Sequence, residues 1–176
     1  ACYADVDGDG QRDSSDATII SADEDCLDPG EADGSVPATD CDDDDPAVYT
    51  GATEVVDDGI DNDCDGLELC YVDADDDGQR ESSNATVSSD DLDCDDSGEG
   101  SSAELATDCD DNDASIYVGA TEGIGDGMDS DCDGSELCYA DADGDAHLDD
   151  SGATVSSSDM DCLDSGEGQN SDPMDD

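Results

Sequence analysis

Tryptophan and phenylalanine are absent, lysine and arginine together number 2, and histidine occurs once. With no Trp or Phe and only 5 Tyr, the chain cannot bury a core of the usual size. No basic patch exists, which makes nucleic acid and anionic membrane surfaces poor partners. No apolar run approaches the ~20 residues of a membrane span, so membrane insertion is excluded too. No Ser/His/Asp set can be assembled around the one histidine, and bound cations would smother carboxylates acting alone, so no enzymatic activity is expected. Nor does an apolar leader precede the opening "ACYAD", which is the start expected of a mature protein or an excised segment.

Acid and sulfur fill the space left by these absences. Of 176 residues 57 are Asp or Glu, and the formal net charge is −55. Two like charges about 4 Å apart repel by roughly 1 kcal/mol even in water. Summed over the chain, that repulsion expands any fold that lacks counter-ions. Hydrophobic residues make up 33 %, and composition alone places the chain in the disordered class. The 10 cysteines oppose that placement. An even count suits a disulfide framework in an oxidising, extracellular compartment. Small domains without a core are commonly held by disulfides or metals, and this chain is expected to use both.

The cysteines also expose a repeat. Cys2, Cys70 and Cys138 are spaced by 68 residues, as are Cys26, Cys94 and Cys162, and the pairs Cys41/Cys109 and Cys64/Cys132. "CYADVDGDGQRDSS" recurs as "CYVDADDDGQRESS" and "CYADADGDAHLDDS", and "DGIDNDCDGLELC" recurs as "DGMDSDCDGSELC". The organisation read from this is unit 1 over 1–68 (half-units 1–36 and 37–68), unit 2 over 69–136 (half-units 69–104 and 105–136), and a partial unit 3 over 137–176. The phase at Asp176, one position before the next framework cysteine, is that expected of an excerpt of a longer array, or of a subunit whose end meets another's start.

Unit 3 holds only Cys138 and Cys162, which suggests pairing within each half-unit: Cys2–Cys26, Cys41–Cys64, Cys70–Cys94, Cys109–Cys132 and Cys138–Cys162. Closing loops of about 25 residues stabilises by roughly 3 kcal/mol each in the chain-entropy model. A second scheme, Cys26–Cys41 with Cys64–Cys70, leaves Cys2 and Cys162 for bridges between subunits and stays open at this level.

Three carboxylate loops recur in each full unit. The first is Asp5, Asp7, Asp9, Gly10, Gln11 and Asp13. Side chains at positions 1, 3 and 5 converge when the loop turns sharply, and glycine at position 6 permits the turn. The backbone carbonyl of Gln11 and the carboxylate at position 9 add to an oxygen shell of the kind Ca²⁺ takes. Unit 2 repeats it with Asp73, Asp75, Asp77, Gly78, Gln79 and Glu81. Unit 3 has Asp141, Asp143, Asp145 and Asp149, with His147 at the carbonyl position and Ala146 in place of the glycine. Position 12 is Asp16, Asn84 or Gly152, so no bidentate Glu closes the loop as in an EF-hand. The missing ligands are expected from Asp23, Asp25 and Asp28, brought beside Asp5 by a Cys2–Cys26 bridge. Asp91, Asp93 and Asp96, then Asp159, Asp161 and Asp164, are the later copies.

The second loop is Asp40, Asp42 and Asp44 with Glu54, copied as Asp108, Asp110, Asn112 and Glu122. The third is Asp61, Asp63, Asp65 and Glu68, copied as Asp129, Asp131, Asp133 and Glu136. One divalent ion per loop would neutralise roughly a quarter of the charge. Zinc prefers His or thiolate, the side chain of His147 is expected at the surface, and crowded carboxylates disfavour Mg²⁺. Calcium is the expected ion.

At these residues the chain resembles a known family. "TDCDDDDPAVYTGATEVVDDGIDNDCDG" at 39–66, with its copy at 107–134, resembles the MopE-type metal-binding repeat of secreted and surface proteins of bacteria and archaea. It departs from that pattern around Val56 and Gly125, where the family has a further Cys, and at Thr50 and Val118, which replace a Pro. The copper association of one branch of the family is therefore not carried over. The DxDxDG segments resemble thrombospondin type 3 and dockerin-like calcium loops over about a dozen residues each. These resemblances imply loop-rich folds wrapped around calcium with little regular structure.

The remaining segments are less informative. One short strand is expected at Ala85–Ser88, and Asn84-Ala85-Thr86 is a sequon for N-linked glycan, with Ser and Thr clusters open to O-linked sugars. "DPGEADGSVPAT" and "DSGEGSSAELAT" read as flexible linkers. Tyr3, Tyr49, Tyr71, Tyr117 and Tyr139 are expected to form miniature cores beside the bridges, and Arg12 and Arg80 to pair with nearby carboxylates. The fold class expected is a disulfide- and calcium-stapled tandem repeat, mostly loop with short strands and little helix, forming an extended array. The function expected is a segment or subunit of an extracellular, self-associating structural filament. The alternative is a soluble secreted calcium-binding or adhesion module that binds carbohydrate or a protein partner.

Overall fold

The structure is a computed structural model describing residues 1–23, 25–149 and 151–174; Asp176, which sets the phase of the repeat, lies outside them. By their contacts the residues fall into two compact units, 1–71 with 86–102, and 72–85 with 103–176. No helix occurs among the described residues, so none is long and apolar enough to cross a membrane.

The first unit is built on β1 (Cys2–Asp5), β2 (Arg12–Asp13), β3 (Thr18–Ile19), β4 (Gly30–Ala32) and β5 (Ala38–Asp40), followed by β6 (Glu68–Asp73), which runs on into the second unit. The second unit takes β7 (Gln79–Glu81); β8 (Thr86–Ser89) and β9 (Gly98–Gly100) return to the first. Then follow β10 (Leu105–Asp108), β11 (Glu136–Ala140), β12 (Thr154–Ser157) and β13 (Glu167–Gly168). Each repeat centres one strand between two partners, in the orders β3-β1-β4, β8-β6-β9 and β12-β11-β13. Two parallel pairs complete the set, β2 with β5 and β7 with β10.

The central strands carry Cys2, Cys70 and Cys138, and every bridge closes within its half-unit: Cys2–Cys26, Cys41–Cys64, Cys70–Cys94, Cys109–Cys132 and Cys138–Cys162. No free cysteine remains. Sulfur takes the place of hydrocarbon, because Cys70 and Cys138 are 0 % exposed whereas Ile20 is 96 % exposed. The largest fully buried side chains are Glu68, Glu136, Asp40 and Asp108. An interior built from carboxylates is costly unless each oxygen finds a partner.

Several local expectations change. The linker segments are not free: β4, β5, β9 and β10 lie in them, because their backbones find pairing partners that composition does not reveal. The strand placed at 85–88 is β8, one residue later, antiparallel to β6 with Cys70 opposite Val87. All five tyrosines are half-buried, and the small cores are instead Cys, Ala4, Ala32, Val48, Ile116 and Leu148. Arg12 sits 4.0 Å over the Tyr3 ring and pairs with Asp16 at 3.0 Å, as expected, and Arg80 donates to the Asn84 side chain (2.6 Å) and the Glu104 carbonyl (3.1 Å).

Candidate metal centres

Asp5 ends β1, and the chain turns at once so that Asp5, Asp7 and Asp9 bring carboxylate oxygens within 4.8 Å of one another. The turn is held by the aspartates themselves. Asp7 Oδ1 accepts the Asp9 N–H at 3.0 Å, and Asp9 Oδ1 accepts the Gln11 N–H at 2.6 Å, as Asp side chains do two residues on. Each carboxylate thus uses one oxygen to fold the loop. The other oxygens, Asp7 Oδ2 and Asp9 Oδ2, are buried without a hydrogen-bond partner, as is Asp5 Oδ1. Gly10 supplies the left-handed conformation (φ 94°) the loop needs.

A second segment closes on this loop. β2 and β5 place Asp13 opposite Asp40, which is 0 % exposed. Asp40 Oδ1 accepts the Asp42 N–H at 2.9 Å, and Asp40 Oδ2 is buried without a partner. Burial first, then repulsion from Asp7, Asp9 and Asp43, pushes the Asp40 carboxyl up to about 6 against the pull of the Asp42 N–H. Asp43 accepts the Val6 N–H at 2.9 Å and faces Asp13 and Asp5. The arrangement recurs with Asp73, Asp75 and Asp77 as the triad, Asp108 pushed up to about 6 mainly by burial, and Asp111 accepting the Ala74 N–H at 3.1 Å and facing Glu81. Gln11 and Gln79 each accept a hydrogen bond from a threonine of the closing segment, Thr39 (2.8 Å) and Thr107 (2.5 Å).

The grouping therefore differs from that read along the chain. Asp40 and Asp108 turn toward the first loop because the parallel strand pair fixes their register there, while Asp42, Asp44, Asp110 and Asn112 are exposed. Glu54 gathers with Asp61 and Asp63, and Glu122 with Asp129 and Asp131, each set within 4.8 Å. Glu54 accepts the Asn62 N–H (2.9 Å), and Asp61 accepts those of Asp65 and Gly66 (both 2.9 Å). Beside them Glu68, 1 % exposed, accepts the Asp57 N–H at 2.9 Å through Oε1 and leaves Oε2 buried and unpartnered. Its carboxyl is raised by burial foremost. Glu54, Asp63, Asp65 and Glu68 line a cavity of about 200 Å³. Glu122, Asp131, Asp133 and Glu136 line its copy, also about 200 Å³, where Glu136 accepts the Gly125 N–H at 2.9 Å.

Asp23 and Asp28 gather with Glu31 as a cluster within 4.8 Å. Asp25, Asp91, Asp93, Asp159 and Asp161 are exposed, and several cap the backbone N–H two residues on. In the third repeat Asp164 and Glu167 line a cavity of about 490 Å³ with Asp141. Asp141 accepts the N–H groups of Gly144 (2.8 Å), Asp145 (3.2 Å) and Ala146 (3.0 Å). Asp149 accepts the Ala142 N–H at 3.4 Å, the place Asp43 fills in the first repeat, and Asp143 is exposed. His147 lies 3.1 Å from Asp145 through Nδ1.

Asp43, Asp111 and Glu31, with Glu99, whose Oε2 is buried without a hydrogen-bond partner, are acidic residues that reading by DxD motif missed. Their signal was recurrence alone: Asp43 and Asp111 are 68 residues apart, as are Glu31, Glu99 and Glu167.

Ala146 takes the left-handed conformation (φ 66°) that Gly10 and Gly78 take in the other copies. That conformation strains a residue with a Cβ by roughly 1–2 kcal/mol, and the flexibility of glycine in the unfolded chain returns about half of this. Ala146→Gly should therefore stabilise the third loop by about 0.5–1 kcal/mol. Slower amide exchange over 144–149 is the expected result, and faster exchange would contradict it.

The donors of the Asp5, Asp23, Glu54, Asp73 and Glu122 clusters are carboxylate oxygens, and every cysteine is sealed in a bridge. Buried carboxylate oxygens that converge without partners fit a hard cation. Comparison with known proteins returned no matching curated protein and no matching solved structure. It did return one family, Cu-binding_MopE, described as "Putative metal-binding motif", whose model matches residues 40–68 and 108–145. These two segments, which carry the Glu54 and Glu122 clusters and the buried Asp40 and Asp108, resemble that metal-binding motif.

Proposed function

We propose that the chain is a calcium-binding structural repeat of an extracellular surface or matrix filament. The observation that carries this is the set of unpartnered carboxylate oxygens at the largest fully buried side chains among the described residues, Asp40, Glu68, Asp108 and Glu136, repeated at one spacing. An all-oxygen site suits Ca²⁺; copper seeks nitrogen or sulfur, which the Asp5, Glu54, Asp73 and Glu122 clusters lack. Five bridges suit an oxidising, extracellular setting. Exposed Ile20, Leu27, Leu105 and Leu163 offer apolar contact points for self-association. The sequon at Asn84 is exposed and accessible to a glycan. The carboxylates are committed to cations, which leaves no catalytic role.

The test is sedimentation of the chain in millimolar calcium against millimolar magnesium, with bound metal counted. Assemblies that form in calcium alone support a filament. A calcium-loaded monomer overturns the filament in favour of a soluble binding module, and failure to retain calcium overturns both.

A further inference from the structure

The disulfides leave a seam. Cys2–Cys26 closes the first half-unit on itself and Cys41–Cys64 closes the second, and no bridge crosses between them. The residues that do cross are few. Arg12 N–H donates to the Pro37 carbonyl (2.9 Å), Ser14 N–H to the Asp40 carbonyl (2.7 Å), Val6 N–H to Asp43 and Thr39 Oγ1 to Gln11. Against them stands repulsion between Asp40 and Asp43 on one side and Asp5, Asp7, Asp9 and Asp13 on the other. Asp40 is fully buried opposite Asp13, its Oδ2 has no hydrogen-bond partner, and its carboxyl feels the charges of Asp7 and Asp9. Such a group tolerates its charge only beside a cation.

We propose that Asp40 and Asp43 complete the first-loop site, so that one composite cation site latches the loop to the metal-binding motif that follows it. Asp108 and Asp111 form the same latch with Asp73, Asp75, Asp77 and Glu81. This rests on the cation-binding reading and deepens it. The ion is not a staple within one loop but the joint between half-units, and it turns a repulsive seam into an attractive one.

The signature is an inversion of sign. Asp40→Asn keeps the shape and one oxygen but removes a charge. In calcium it should weaken binding at this site about tenfold or more, since affinity follows ligand charge, and speed exchange of the Arg12 and Ser14 amides. In EDTA the same variant should slow exchange of those amides relative to the parent chain, because repulsion across the seam is relieved. Asp43→Asn, at a half-buried position, should repeat the pattern with less risk to folding. Faster exchange in both conditions would assign Asp40 a merely structural part and overturn the latch, as would parent-like behaviour in calcium. If the parent chain's own amides ignore calcium, the cation-binding reading falls, and that outcome is distinct from failure of the latch alone.

Discussion

Excess EDTA is expected to reduce the near-ultraviolet circular dichroism of the tyrosines severalfold and to increase the hydrodynamic radius, with all five disulfides intact. The size of the effect follows from geometry. In the Asp5–Asp7–Asp9 cluster the carboxylate oxygens lie within 4.8 Å of one another. At the effective dielectric of a protein surface each such pair repels by about 3–4 kcal/mol, so one bare triad stores about 10 kcal/mol. The whole stability of an ordinary domain is about 5–15 kcal/mol, and this chain has several triads and no aromatic core to offset them. Without cations the carboxylates must separate or take up protons. Millimolar calcium should restore both signals, with a midpoint of about 10⁻⁴–10⁻³ M as in extracellular calcium modules. Unchanged ellipticity and radius in EDTA would show that cations do not hold the fold.

Removal of the Cys70–Cys94 bridge by paired Cys→Ala substitution should destabilise the calcium-loaded chain more than removal of Cys41–Cys64. The two loops span 24 and 23 residues, so the chain-entropy loss is about 3 kcal/mol for each. The surroundings differ. Cys70 is 0 % and Cys94 5 % exposed, at the centre of the β8-β6-β9 sheet, whereas Cys41 is exposed. Loss of buried sulfur adds a packing term of about 1–2 kcal/mol at the first site and little at the second. Urea midpoints in saturating calcium would measure the difference. Equal midpoints would mean that the bridges act by loop closure alone and that sulfur is not the core.

Much of this architecture could be read directly from the sequence, for reasons specific to it. The half-unit pairing of the cysteines was the favoured of two schemes, because the third copy holds only Cys138 and Cys162. The carboxylate loops were visible because Asp7 and Asp9 at alternate positions fold their own turn, a wholly local effect. The regrouping of Asp40 with the first loop was not visible. It depends on a two-residue parallel pairing between β2 and β5, across a segment whose Gly, Ser and Pro content reads as loose linker. Glu54 was likewise assigned to the loop before it, when the hydrogen bond from Asn62 N–H fastens it to the one after. Proximity in sequence misleads wherever a short pairing or a single buried hydrogen bond decides which carboxylates meet.

The half-unit bridges also have a mechanical consequence. If the chain were pulled at its ends, tension would cross each disulfide and bypass the loop it closes. Only the stretches outside the loops, 27–40, 65–69, 95–108 and 133–137 between bridges, could lengthen, at about 3.5 Å per residue. The triads at Asp5, Asp73 and Asp61 lie partly or wholly inside loops that never bear load, while Asp40 and Asp108 stand on the segments that do. Under strain the chain would behave as a series of inextensible rings joined by short tethers, and the tethers ending at Asp40 and Asp108 would give first.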